Sequence, residues 1–275
     1  MACRYTFDFL TNGDLPALTD LWQQCFRETE EDALFFLQNS FRPGETLLLR
    51  YDGRPVSMMT LIPARLQNTE GAYIYAVATH PEYQGRGLMR LLHDEALRCL
   101  KTQGVQFTCL VPASVSLFGL YEKLGYVPRF YRSRREYSEF SPCQILEFHT
   151  PSVVELASLR ADYLSRLPYS LRLLCPDYLY QELRHYGGGA VSFQTDGATG
   201  YAAYTRNGCV LYVRECSVPF TQPLGSSLLH YTECRRIVLD LPGTDTPVGM
   251  YRPLDPTRDP FPADFTGHLS LCLDQ

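Results

Sequence analysis

The 275-residue sequence has little that would suit a metal, a membrane or a nucleic acid. Its ten cysteines never come closer than Cys209 and Cys216, so the C-x-x-C spacing shared by most zinc sites and dithiol redox sites is missing. Net positive charge is missing too: 25 Lys and Arg stand against 30 Asp and Glu, a balance of −5, which leaves no general basic field for a phosphate backbone or an anionic membrane. No window approaches the ~18 apolar residues of a membrane span. The opening MACRYTFDFLTNGD breaks any leader-like run with Arg4, Asp8 and Asp14. Glycine and proline, 19 of each, are too few for a collagen-like or disordered chain. These absences predict a globular, cytoplasmic protein with reduced thiols, no metal, and neither nucleic acid nor membrane as partner.

What is present is a mixed α/β pattern. Tyr5–Leu10 reads as a strand, and a helix with apolar Leu15, Leu18, Leu21 and Trp22 follows Asn12 or Asp14. A second helix covers about 30–39, and a hairpin turns at Asp52-Gly53 between two apolar runs. A strand at 72–79 leads into a helix over 88–102, whose buried arc is predicted to be Leu88, Leu91, Leu92, Ala96, Cys99 and Leu100, with Glu95 out of pattern. Next come a strand (105–111), a short helix (114–124) and an extended segment to Tyr137. The proline-containing stretch 141–152 reads as a boundary. Beyond it the pattern predicts helices at 153–166 and 176–186, strands at 190–194, 200–206 and 210–216, a helix at 225–234, and strands at 236–241 and 268–273. This repeats the strand-strand-strand-helix-strand order of the first half, and the Pro- and Asp-rich stretch 241–264 reads as a long loop.

The sharpest local feature is IYAVATHPEYQGRGLMRLLHDEAL, a strand entering a helix through a turn that holds Gly85 and Gly87. Such a turn gathers backbone N–H groups at the positive end of a helix, where a phosphate is held without a cationic side chain. The dinucleotide fingerprint fails because its third glycine position is Arg90, and the Walker pattern fails because Leu88, not lysine, follows Gly87. The loop Gln84, Gly85, Arg86, Gly87, Leu88 and Met89 instead resembles the Q/R-x-x-G-x-G/A loop of GNAT-superfamily N-acetyltransferases, with Met89 in place of the usual small residue. The approach Val77–Thr79 and Pro81–Tyr83, the LVPAS segment Leu110–Ser114 and the LYEKLGY element Leu120–Tyr126 strengthen the resemblance. They point to the tandem-GNAT branch similar to the enhanced intracellular survival (Eis) acetyltransferases, without that branch's third domain.

The resemblance implies two tandem GNAT-like domains, a catalytic one over 1–140 and a degenerate one over 152–275 that lacks the cofactor loop. It implies transfer of an acetyl group from acetyl-CoA to a primary amine, a small molecule or peptide, with oligomer formation left open. Tyr121 is then the general acid. Val77, Ala78, Thr79, Gln84, Gly85, Arg86, Gly87, Leu88, Met89, Arg90 and Ser114 are the cofactor-binding set, and the base is the Gln275 carboxylate or a water relay. No acidic residue lies in the strand 72–79, although Glu70 precedes it; Tyr73, Tyr75 and His80 are read as sheet residues. The basic run Arg132–Tyr137 reads as a solvated strand or a rim for CoA phosphate. The rival reading is a non-catalytic acyl-CoA-binding or scaffold protein.

Overall fold

The computed structural model describes residues 5–39, 44–140, 145–174, 183–185, 187–195 and 197–270. Two compact units emerge: Met1–Val111 with Tyr251–Phe261, and Pro112–Met250 with Pro262–Gln275.

The first unit runs β1 (Tyr5–Phe9), α1 (Leu15–Phe26), α2 (Glu30–Asn39), β2 (Thr46–Tyr51), β3 (Arg54–Leu66), β4 (Thr69–Thr79), α3 (Leu88–Thr102) and β5 (Phe107–Leu110). Its strands lie in sequence order; β1 to β4 are antiparallel, and β5 joins β4 in parallel. The predicted hairpin turn forms because Asp52 and Gly53 both take positive φ, 48° and 82°, which matches the right-handed twist of the flanking strands. β3 is buried continuously from Pro55 to Ile62, the mark of a strand covered on both faces. Trp22 of α1, Phe36 of α2 and Tyr75 of β4 form one aromatic cluster, with the Trp22 and Phe36 rings stacked at 5.2 Å. Tyr73 and Tyr75 are thus sheet residues. In α3 the buried face is Leu88, Leu92, His93, Ala96, Leu97 and Leu100, while Leu91 is 46% exposed. The expected arc is therefore corrected toward 93 and 97. The reason is the packing of α3 on its sheet, which leaves the Leu91–Glu95 column toward solvent, where Glu95 pairs with Arg98 at 2.6 Å.

The second unit contains α4 (Val115–Glu122), β6 (Val127–Tyr137), α5 (Val153–Ser165), the short β7 (Leu171–Leu173), β8 (Gly189–Thr195), β9 (Ala198–Asn207), β10 (Val210–Cys216), α6 (Gln222–Thr232) and β11 (Arg236–Pro242). Its strands are ordered β6-β11-β10-β9-β8. β8, β9 and β10 are antiparallel and β11 joins β10 in parallel, which is the arrangement of β2 to β5. One face of this sheet packs Val191, Phe193, Ala202, Leu211, Val213, Ile237 and Leu239 against Leu224 and Leu228 of α6.

Two expectations are corrected here. The stretch 241–264 is not a long loop: it holds β12 (Thr246–Pro253) and a turn of 3-10 helix at Pro256–Arg258. Pro247 and Pro253 sit at or beside the ends of β12, where a missing N–H is tolerated. Tyr251 returns to the first unit and packs on Phe107 at 5.5 Å, and Leu254 N–H donates to the Gln106 carbonyl at 2.8 Å. The second correction concerns 268–273. His268 makes only an isolated bridge with Ser170, and 271–273 lie outside the described residues, as does most of the helix expected over 176–186. Among the described residues no helix is long and apolar enough to cross a membrane.

Gly71 sits where β4 meets β5, and a Cβ there would lie 2.2 Å from the Phe107 ring. Gly71→Ala is expected to destabilise the protein by ~1–3 kcal/mol, the usual effect of overpacking. Adding Phe107→Leu should return part of that loss in urea unfolding. Asp14, bonded by Arg50 at 2.7 and 2.9 Å, has its pKa lowered to about 2, chiefly by that guanidinium. A carboxyl depressed on folding adds stability that is present above its unfolded value, near 4, and is lost as pH falls toward 2. Asp14→Asn should therefore remove on the order of 2 kcal/mol of the acid dependence between those limits, measured as the change in unfolding free energy with pH.

Candidate active site

The site begins with an irregularity in β4. Its register against β3 is Met58 to Ala78 on one side and Thr60 to Tyr75 on the other, so Ala76 and Val77 together oppose Met59. Ala76 takes φ of 48° to make this bulge, a conformation that costs an alanine energy and so marks a point fixed by its surroundings. Beyond the bulge, His80 N–H donates to Val56 O at 2.9 Å. Because antiparallel residues alternate in facing their partner, Ala78 then faces β3, while Val77 and Thr79 turn their N–H and C=O groups to the opposite edge. The parallel ladder on that edge covers Gly71–Phe107, Ala72–Thr108 and Tyr73–Cys109 and then ends. β5 itself ends at Leu110, so the Val77 backbone lies past the end of that ladder, on the edge of β4 turned away from β3.

The end of β4 is pinned by side chains. Ser57 Oγ donates to the Ala78 carbonyl at 2.7 Å and lies 2.8 Å from Thr79 Oγ1. The Thr79 carbonyl accepts from Gln84 Nε2 at 2.9 Å and from Cys25 Sγ at 3.4 Å; burial pushes the Cys25 thiol up. Gln84 therefore holds the strand to the turn, and the Thr79 carbonyl is already committed within the protein. Sequence reasoning missed Ser57, although a serine inside the apolar run Val56–Leu61 is a signal, since a buried hydroxyl needs a partner. The Ala76 bulge left no signal in the sequence.

The turn from His80 to Gly87 is equally specified. His80 Nδ1 accepts from Glu82 N–H, the Arg86 guanidinium donates to the Glu82 carbonyl at 2.8 Å, and the same guanidinium lies 5.0 Å above the Tyr83 ring. Gly85 and Gly87 have φ of 73° and 75°, and a Cβ built on either would meet no protein atom within 4 Å. Neither glycine is there to relieve packing inside the protein. Each fits a backbone that needs positive φ with an open outer side. The first helical bond of α3 runs from Leu91 N–H to Gly87 O, so the N–H groups of Leu88, Met89 and Arg90 precede the ladder. Gly87 is the N-cap residue and supplies no side-chain cap. Leu88 is buried and anchors the helix, Met89 is half-buried and Arg90 is exposed. Chemically, a helix start with these free N–H groups can receive an oxyanion.

Of the expected site residues, Val77, Ala78, Thr79 and Gln84 to Arg90 thus come together in the first unit. Ser114 and Tyr121 belong to the second, on α4. Ser114 is its N-cap residue and is exposed, with Oγ 2.8 Å from Ser116 Oγ. Tyr121 is buried with its ring edge-on to Tyr126 at 5.9 Å. Gln275 lies outside the described residues. No group of three or more His, Cys, Asp or Glu placed to hold a metal occurs among the described residues.

Residues 6–129 match the family model described as acetyltransferase (GNAT) domain. The fold is that of the GNAT acetyltransferases. Solved GNAT structures extend the likeness along the chain. A GCN5-related N-acetyltransferase from Anabaena variabilis is 17% identical with a TM-score of 0.74, covering 92% of this chain and 73% of its own. Eis1 from Mycobacterium abscessus is 12% identical with a TM-score of 0.64, covering 91% and 74%. A tandem GNAT protein from the clavulanic acid biosynthesis pathway is 14% identical with a TM-score of 0.57, covering 92% and 99%. No curated protein matches.

Because a Cβ at position 87 has room, Gly87→Ala is expected to leave the GNAT fold intact and to cost ~1–2 kcal/mol, the penalty of placing alanine at positive φ. Urea unfolding measures it. A loss well above that range would mean that Gly87 serves packing.

Proposed function

We propose that this protein is an N-acetyltransferase that moves an acetyl group from acetyl-CoA to a primary amine of a small molecule or peptide, with residues 1–140 as the catalytic domain. One observation carries the reading: the edge of β4 beyond its bulge, past the end of its ladder with β5, leads directly to a helix start whose two glycines are open to the outside. A long thiol with a pyrophosphate at its far end fits that pair of features. The N–H groups from Gly85 to Arg90 would hold the pyrophosphate, the Val77 backbone would hold the pantetheine amides, and Ser114 would contact the cofactor from α4. When bound, acetyl-CoA supplies the activated thioester.

The chain's own groups manage two protons. An alkyl ammonium with pKa ~10 is only about 0.1% neutral near pH 7, so the amine must lose a proton, either through a water relay or to the Gln275 carboxylate. The departing thiolate must gain one, and Tyr121 is the proposed donor. Its buried ring is held against Tyr126, which favours one fixed direction for the hydroxyl. Cytoplasmic residence fits the same reading, since acetyl-CoA and reduced thiols occur together there.

Residues 152–275 are proposed as a second GNAT-like domain without a cofactor loop. The start of α6 supports this. Thr221 caps it with its own side chain, accepting from Leu224 N–H at 3.4 Å, and Pro223 removes a donor. Gly225 is closed as well, because a Cβ there would meet the Phe140 ring at 2.1 Å. α3 begins open where α6 begins capped.

Two measurements test the proposal. Gly87→Val should abolish acetyl-CoA binding by calorimetry while the fold persists, and unchanged affinity would remove the helix start from the site. Tyr121→Phe should leave acetyl-CoA affinity within a few-fold and lower kcat by ~10²–10⁴, read as CoA thiol released with a panel of amines. Binding without thiol release from any amine by the unaltered protein would favour an acyl-CoA-binding protein instead.

A further inference from the structure

No two cysteines stand close enough in the sequence for a local dithiol motif, but the fold of the second unit brings two of them together. Cys209 lies in the two-residue turn between β9 and β10, which is closed by the Asn207–Val210 pair and has Gly208 at φ of 56°. Cys234 lies between the end of α6 and the start of β11. β10 and β11 begin side by side, with Val210 paired to Arg236 in parallel. Just before that pair, Arg235 N–H donates to the Cys209 carbonyl at 2.8 Å, and Arg236 N–H reaches the same oxygen at 3.3 Å. In a trans peptide the N–H lies on the same side as the preceding Cα, so the Arg235 bond leaves the Cα atoms of Cys209 and Cys234 roughly 7 Å apart or less. Disulfides span Cα atoms ~4.4–6.8 Å apart, so the two residues are within bridging reach.

The two thiols differ from the rest in their partners and from each other in access. Cys25, Cys99, Cys109 and Cys216 each donate to an oxygen. Cys209 and Cys234 make no such bond among the described residues. Cys209 is exposed, whereas Cys234 is 8% exposed and packs in the core that holds Leu224 and Leu228 of α6. An oxidant in solution therefore meets Cys209 first, while the second thiol waits beside it, shielded from direct attack.

We propose that Cys209 and Cys234 are a redox pair, in which hydrogen peroxide oxidises the exposed Cys209 and Cys234 captures it as an intramolecular disulfide. The Cys209 sulfur attacks the peroxide O–O bond, an S–O bond forms, and water leaves behind a sulfenic acid. The Cys234 sulfur then attacks that sulfur; the S–S bond forms, the S–O bond breaks and a second water leaves. The two thiols give up two electrons, and the peroxide is reduced to water. The bond closes a loop that contains β10 and α6, which restrains the unfolded chain and so stabilises the second unit. This inference is independent of acetyl transfer, and its test needs no acetyl-CoA.

The test treats the reduced full chain with a small excess of hydrogen peroxide and maps its peptides by mass spectrometry without reductant. The expected main product is a cross-linked peptide joining Cys209 to Cys234, lighter by two hydrogens, reversed by dithiothreitol and accompanied by a higher thermal midpoint. Cys209→Ser, at an exposed position expected to fold, should slow oxidation of Cys234 at least about tenfold. Cys234→Ala should leave Cys209 as a sulfenic acid that dimedone traps. Absence of the Cys209–Cys234 peptide, a predominant cross-link between other cysteines, or oxidation of Cys234 at an unchanged rate in Cys209→Ser would each overturn the proposal.

Discussion

The site depends on the phase of one strand. Hydrogen bonding of His80 N–H to Val56 O, two residues past the point where Ala78 faces β3, fixes which backbone groups of β4 look inward and which look out. The bulge at Ala76 and Val77 sets that phase, and Ser57 and Gln84 hold it by gripping the carbonyls of Ala78 and Thr79. Without the bulge the strand would reach the turn with its open groups reversed, and the glycine loop would begin from the wrong face. The site is thus made mainly of backbone, and the side chains around it act by holding that backbone still.

The same logic explains why the two halves of the chain differ despite their shared order of elements. In the first, the helix after the bulged strand starts with Gly87 and no side-chain cap. In the second, it starts with Thr221 as cap and with Gly225 pressed against Phe140. A capped helix end has already satisfied the donors that an anion would use. A second bulge, in β10, brings Arg214 and Glu215 to one face, where they pair with Asp240 and Arg160.

Much of this was legible in the sequence because the signals are local. The Asp52-Gly53 turn, the break at Gly85 and Gly87, and the extent of α3 follow from residues whose backbone preferences decide the outcome on the spot. What was not legible depends on partners distant in the chain. Ala76 has no intrinsic reason to take a positive φ. Leu91 and Leu97 are equivalent by type, and only the packing of α3 on its sheet separates them. β12 was masked by prolines and aspartates suited to a loop, and only the docking of Tyr251 on Phe107 shows why it is ordered. The polar face around Glu215 was invisible for the same reason, since a single extra residue in β10 reverses the expected alternation.

The central claim is that one helix start, and not its counterpart in the repeat, receives the cofactor. The stoichiometry of acetyl-CoA binding to the full chain, measured by calorimetric titration, tests it most directly. The account predicts one site per chain; a stoichiometry near two would contradict it by making the start of α6 a second cofactor site.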